Sequence, residues 1–392
     1  MSGLIETQLI HEGELKPRVG GAVSMPIFQS AMYEFGGEGA PDELLYIRYN
    51  NTPNQRVLGD KLAALEGAEA ALVTSSGMAA ISGALLSVLS AGDHLLAQDN
   101  LYGGTYSFIT QYLPTIGVTY DFIDADDPSS WAAKVRPNTR AVYVESITNP
   151  MMAVGDLEAI AAFAQANGLV SLIDNTFTTP VNFRPAERGF DLSLHSATKY
   201  LNGHSDIVAG AIVGTKALVK QAAGILKHLG GTLDPHACFL LHRGMKTLAL
   251  RVRFQNESAL QIARFLAEHP AIVSVNYPGL VESAGHGHAE RLFDGYGGMM
   301  SFEVHGGAEA ADHFMQSLTV PILAPSLGGV ETLVTRPAAS SHVSLSREER
   351  RRVGVTDGLL RLSVGIEAPT DLIADFEQAL TSILDFRLGI LD

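Results

Sequence analysis

Leu192-Ser193-Leu194-His195-Ser196-Ala197-Thr198-Lys199-Tyr200 is the stretch on which the reading of this chain turns: a short apolar run, two hydroxyl residues alternating with apolar neighbours, then a lysine. Leu192 to His195 reads as a strand, and Ser196 and Thr198, two positions apart, can both face one phosphate. Lys199 follows directly and can reach a carbonyl carbon held in that grip. A lysine forms imines when burial or cationic neighbours lower its proton affinity, and the surrounding Leu, Ala and Gly residues supply burial. A lysine after a strand is more often an ordinary surface residue, so the case depends on what lies to either side.

Upstream, Leu169 to Ile173 is an apolar run closed by Asp174 in Asp-Asn-Thr-Phe. On a parallel strand that carboxylate stands at the carboxyl end, where ligands bind in open α/β folds. It can pair with a protonated ring nitrogen or cap a turn. Farther back, Ser75-Ser76-Gly77-Met78 joins a strand over 70–74 to a helix over 78–89. The backbone N–H groups of such a turn point at an anion.

The same alternation runs from about Asn50 to Gly214, with strands expected over 94–98, 118–123, 141–144 and 207–213 and helices over 105–113 and 157–166. Apolar runs without clean alternation are buried on both faces, as parallel sheets require, so residues 49–244 read as a large, doubly wound, mostly parallel α/β domain. Longer helices over 251–269, 309–318 and 371–386 predict a smaller α+β domain at 245–392. Residues 1–48, with several Gly and Pro and little periodicity, read as an N-terminal arm that leans on something else, expected to be a neighbouring subunit.

A length of 392 residues suits two domains, and the net charge of -15 argues against nucleic acid or an anionic membrane. Small molecules are the expected partners. Cys238 is the one cysteine, which rules out an intrachain disulfide and a cysteine zinc cluster and points to a reducing cytoplasm. The first residues, with Glu6, Glu12 and Glu14, lack the basic start of a secretory signal. His286-Gly287-His288 has no obvious third ligand, so it reads as a turn and no metal is expected.

Four motifs together carry a resemblance: Ser-Ala-Thr-Lys at 196–199, Asp-Asn-Thr-Phe at 174–177, Ser-Gly-Met-Ala-Ala at 76–80 and Ser-Leu-Gly-Gly-Val-Glu at 326–331. In order and spacing, from Tyr46 to Arg361, the chain resembles the Cys/Met-metabolism, or trans-sulfuration, enzymes that depend on pyridoxal 5′-phosphate. That family contains cystathionine γ-synthase, cystathionine β- and γ-lyases and methionine γ-lyase.

The resemblance implies an α/β enzyme of PLP fold type I, like aspartate aminotransferase. Lys199 is then the imine-forming residue and proton shuttle, Tyr102 stacks on the cofactor ring, and Asp174 pairs with the ring nitrogen. Gly77, Met78, Ser196 and Thr198 grip the phosphate. Tyr46 and Arg48 reach the phosphate of a neighbouring subunit, so the resemblance implies a homo-oligomer, a homotetramer in this family. Arg361 clamps the α-carboxylate of an amino-acid substrate through its planar fork, with Asn149 and Ser326 positioning it.

The chain departs from the family pattern at several points. Asn51-Thr52-Pro53 replaces Asn-Pro-Thr, which predicts a different loop path. Leu45 stands where some cystathionine enzymes carry an acid, Thr335 where γ-lyases often place a glutamate, and Gly104 where methionine γ-lyases often have cysteine. Arg336 could favour an acidic substrate or form a structural ion pair. The function expected is γ-elimination or γ-replacement on a homoserine- or sulfur-type amino acid. Rivals are a β-lyase of cystathionine or cysteine conjugates, a non-catalytic PLP-binding scaffold, and an aminotransferase of the same fold type.

Overall fold

The computed structural model describes residues 3–34, 44–340, 343 and 346–387. The chain forms two compact units: one takes the chain up to Asp99 with Gly104–Ser146 and Leu157–Ala249, the other Asn100–Gly103, Ile147–Asp156 and the chain from Leu250 onward.

In the first unit, among the described residues, seven strands form one sheet: β1 (Ala70–Thr74), β2 (His94–Gln98), β3 (Thr119–Ile123), β4 (Thr139–Glu145), β5 (Val170–Asp174), β6 (Leu192–His195) and β7 (Gly210–Gly214). Their order is β1-β7-β6-β5-β4-β2-β3. The central strands pair in parallel and are almost wholly buried, so both faces are covered and the apolar runs need no alternation. β7 is the exception, antiparallel to both neighbours. Segment 196–209 folds into turns rather than a crossover helix, and a parallel return requires such a crossover. Because β7 reverses twice, β1 runs in the same direction as β6, and the carboxyl ends of β1, β4, β5 and β6 share one edge.

Helix α1 (Ile5–His11) is followed by α2 (Pro53–Glu66) and α3 (Gly77–Val88). The Asn51-Thr52-Pro53 departure has a local explanation at the start of α2. Pro53 sits in its first turn, where no N–H is needed, and the Thr52 N–H donates to Gln55 Oε1 at 3.0 Å in a capping box. Gly67, at φ 66°, ends the helix in the left-handed region. α3 is capped by Ser76, whose hydroxyl accepts from Ala79 N at 3.0 Å. The helix expected over 105–113 is instead an α turn at Gly103–Ser107 that widens into a π segment, Phe108–Tyr112, and tightens around Pro114.

Residues near α1 lean on α2 of their own chain. Lys61, fully buried, donates to Leu9 O at 2.9 Å and lies 3.7 Å from Glu14, which also accepts from His242 at 2.8 Å. Cys238 is buried in the helix Pro235–Met245.

The second unit holds a sheet of β8 (Ile272–Asn276), β9 (Met299–Val304), β10 (Ile322–Leu323), β11 (Leu333–Thr335) and β12 (Leu359–Ser363), in the order β10-β11-β12-β9-β8. Its core joins Phe302, Phe314 and Phe376 with the inward faces of the helices Gly307–Ser317 and Pro369–Arg387. No helix among the described residues is long and apolar enough to cross a membrane.

Candidate active site

The shared carboxyl edge of the first sheet gathers the chemistry-bearing groups of that unit. β5 ends at Asp174, which lies opposite Leu194 of β6 in register, and Lys199 follows β6 after a short turn. That turn is fixed by its own backbone: Lys199 N donates to Ser196 O at 3.1 Å and Gly203 N to Lys199 O at 2.8 Å. Lys199 is half-buried between the buried Ala197 and Tyr200.

Asp174 Oδ1 accepts the Thr176 N–H at 3.0 Å. Burial pushes its carboxyl above the ordinary carboxylate range, offset in part by the hydrogen bond from Thr176 and the nearby His195. Tyr143, fully buried on β4, has its phenol pushed well above the ordinary range by burial and by the charges of Asp174 and Glu145.

Gly77 opens α3 against Ser196. A Cβ there would lie 2.8 Å from Ser196 Cβ and 2.9 Å from its Oγ, so only glycine lets the helix start come this close. Ser76 takes the N–H groups of Ala79 and Ala80, which leaves those of Gly77 and Met78, at the positive end of the helix dipole, directed out of the helix. Ser196 N donates to Thr176 Oγ1 at 2.8 Å. The Thr198 hydroxyl donates to Ala209 O at 3.1 Å and accepts from Ala209 N at 2.9 Å, tying the lysine turn to the start of β7.

Tyr46 and Arg48 lie farther along the same unit. The exposed Arg48 donates to Lys227 O at 2.8 Å, with its guanidinium 5.4 Å from the Tyr46 ring centroid and 5.1 Å from that of Tyr49.

Three other expected residues converge in the second unit. Arg361, buried on β12, donates from Nη1 to Asn149 Oδ1 at 3.2 Å and from Nη2 to Ser326 O at 3.0 Å. Ser326 holds φ 98°, a conformation that strains a residue with a Cβ, and so directs its carbonyl at the guanidinium. Tyr102 belongs to this unit through segment 100–103 and is 41% exposed. Arg336 forks onto Asp312 at 2.9 and 3.0 Å and donates to Asp357 O, the ion-pair alternative. The Thr335 hydroxyl donates to Ser340 Oγ at 2.9 Å.

Sequence reasoning passed over Glu66 and Gly210. Glu66 ends α2 fully buried and meets His195 Nε2 at 2.6 Å, although 129 positions separate the two in sequence. Gly210 begins β7 directly beneath Ser76, where a Cβ would collide with Ser76 O and Thr74 Oγ1. The only signal for either was position: an acid just before a helix-ending glycine, and a glycine at a strand start.

The sequence profile of a family described as "Cys/Met metabolism PLP-dependent enzyme" matches residues 6–381. Cystathionine beta-lyase of Lactococcus lactis is 41% identical over 377 residues, 96% of this chain and 98% of that protein. Cystathionine gamma-lyase of Bacillus subtilis is 41% identical over 379 residues, covering 96% and 99%. L-methionine gamma-lyase of Fusobacterium nucleatum is 40% identical over 388 residues, covering 96% and 98%. The crystal structure of cystathionine gamma-lyase from Lactobacillus plantarum complexed with L-serine superposes with a TM-score of 0.93 at 38% identity, covering 97% of this chain and 100% of that one.

Proposed function

The chain belongs to the Cys/Met-metabolism family of pyridoxal-5′-phosphate-dependent C–S lyases, and from that premise we propose that it cleaves the Cγ–S bond of a sulfur amino acid, with Lys199 as its imine-forming residue. The observation that carries this reading is the common edge at which Asp174, the Gly77 turn and the Ser196–Lys199 turn emerge from one sheet. The residues fit the cofactor. Burial makes the Asp174 carboxylate unfavourable until a cation pairs with it, which suits a protonated pyridine nitrogen, and a helix start that a Cβ would block suits a phosphate.

Bound there, pyridoxal 5′-phosphate supplies a carbonyl to capture the substrate amine and an electron-accepting ring. The chain does the rest. Gly77 and Met78 N–H groups and Ser196 hold the phosphate, and Thr198 joins them by turning its proton from Ala209 O. Tyr102 stacks on the ring. The Arg361 fork, aimed by Asn149 and Ser326, would take the substrate carboxylate. Lys199 would remove the Cα proton of the bound substrate and then a second proton at Cβ, so that the sulfur would leave Cγ with the bonding pair. Tyr46 and Arg48 serve the neighbouring subunit's phosphate in a homotetramer.

The γ preference rests on Leu45, which puts an apolar side chain where an acid would hold the distal ammonium of cystathionine. A β-lyase is the second reading, because the similar Lactococcus protein carries that name. Product analysis with cystathionine decides between them: 2-oxobutyrate and cysteine support γ-cleavage, whereas pyruvate and homocysteine overturn it. Lys199→Ala abolishes keto-acid release and the visible absorption band of the cofactor-bound protein; survival of that band would sink the assignment of Lys199.

A further inference from the structure

The corner that joins β1 to α3 is held from behind by one side chain. Thr74 ends β1 wholly buried, and its hydroxyl donates to Ser76 O at 2.8 Å. A buried hydroxyl has to find a partner somewhere, so the bond by itself says little. Its acceptor gives it a consequence. Ser76 O belongs to the same planar peptide as the Gly77 N–H, and in a trans peptide the two point in opposite directions. Whatever fixes that carbonyl therefore aims that N–H.

Two donors fix it. Ala80 N reaches Ser76 O at 3.1 Å as the first turn of α3, and the Thr74 hydroxyl reaches it from the strand side. A helix bond alone is a loose hold, because helix ends fray and the first N–H groups have no partner within the helix. β7 leaves room for the second bond. Gly210 pairs with Thr74 in the antiparallel ladder of β1 and β7, and a Cβ there would collide with Ser76 O and Thr74 Oγ1, the two atoms of this bond. The preceding residue, Ala209, holds the Thr198 hydroxyl through its own N–H and C=O, so the start of β7 backs both the α3 turn and the lysine turn. The Ser75 N–H donates to Gly231 O at 3.0 Å, a further tether on the same corner.

We propose that Thr74 is a positioning residue for the cofactor phosphate: its hydroxyl sets the plane of the Ser76–Gly77 peptide so that the Gly77 N–H faces the phosphate. Buried behind the turn, it acts through that peptide and not on the cofactor itself. The proposal rests on the reading of the Gly77 turn as the phosphate grip, and the two can fail separately.

The test titrates cofactor-free, full-length protein by absorbance with two ligands that differ in one group, pyridoxal 5′-phosphate and pyridoxal. Thr74→Val keeps the branched shape and removes the hydroxyl, and Ser76 O retains the Ala80 N–H, so no carbonyl is orphaned. The variant raises the dissociation constant of pyridoxal 5′-phosphate roughly fivefold, the order expected for one hydrogen bond, and leaves that of pyridoxal unchanged. Thr74→Ser, which keeps the hydroxyl, restores the affinity for the phosphorylated ligand. Equal weakening of both ligands means that Thr74 merely supports the fold and overturns the proposal. So does unchanged affinity for both, or a Thr74→Ser protein no better than Thr74→Val. If the wild type binds pyridoxal as tightly as pyridoxal 5′-phosphate, it is the reading of the Gly77 turn that falls, and the role of Thr74 with it.

Discussion

Asp174 is a carboxylate poorly matched to its surroundings until a cation arrives. Its folded-state proton affinity is raised, with burial the largest cause, so its favourable contribution is present at low pH and lost as pH rises through its folded value. Near neutrality, cofactor-free protein therefore carries a strained charge. Asp174→Asn should raise the melting temperature of the cofactor-free protein at pH 8 by on the order of 2 °C, with the gain fading as the pH falls into the carboxylate range, while weakening cofactor binding. Differential scanning calorimetry across pH checks the sign. At Arg361, two N–H groups in a fixed plane serve Asn149 and Ser326 O at once, and an ammonium cannot reproduce that fork. Arg361→Lys should raise KM roughly tenfold or more with a smaller change in kcat, read from steady-state keto-acid release.

Among the elements, β1, β2 and β6 were legible to the residue, because runs such as Ala70–Thr74 and His94–Gln98 are short, apolar and bounded by turn residues. β7 was not: it was expected from 207 but begins at Gly210, where its ladder with the distant β1 ends at Thr74. β10 and β11 were missed because two- and three-residue strands carry no period to read. The lysine turn, Asp174 and Arg361 were visible as motifs, whereas the Glu66–His195 contact is tertiary and left no local trace. Gly210→Ala tests the close contact of β7 with Ser76. It forces the Thr74–Ser76 corner, and with it the α3 start, off its path. A loss of about 2 kcal/mol or more is expected, together with weaker cofactor binding, from urea unfolding and absorbance titration.

For the molecule as a whole, the cluster of Lys61, Glu14 and His242 joins the start of the chain to α2 and makes stability depend on pH. Burial lowers Lys61 from 10.5 to about 8 and pushes His242 below the ordinary histidine range, each opposed by Glu14. For both bases the unfolded chain binds more protons, so stability climbs with pH through each window: for His242 below its ordinary value, for Lys61 between about 8 and 10.5. Lys61→Met should flatten the alkaline climb while leaving the acid one, as measured by urea midpoints from pH 5 to 10.

The buried Cys238 has a consequence for a protein proposed to release thiols. Products of that kind make mixed disulfides with any accessible thiolate. Here the one sulfhydryl is buried, and burial pushes it far above the ordinary cysteine range, so the catalyst offers its own products no accessible thiolate.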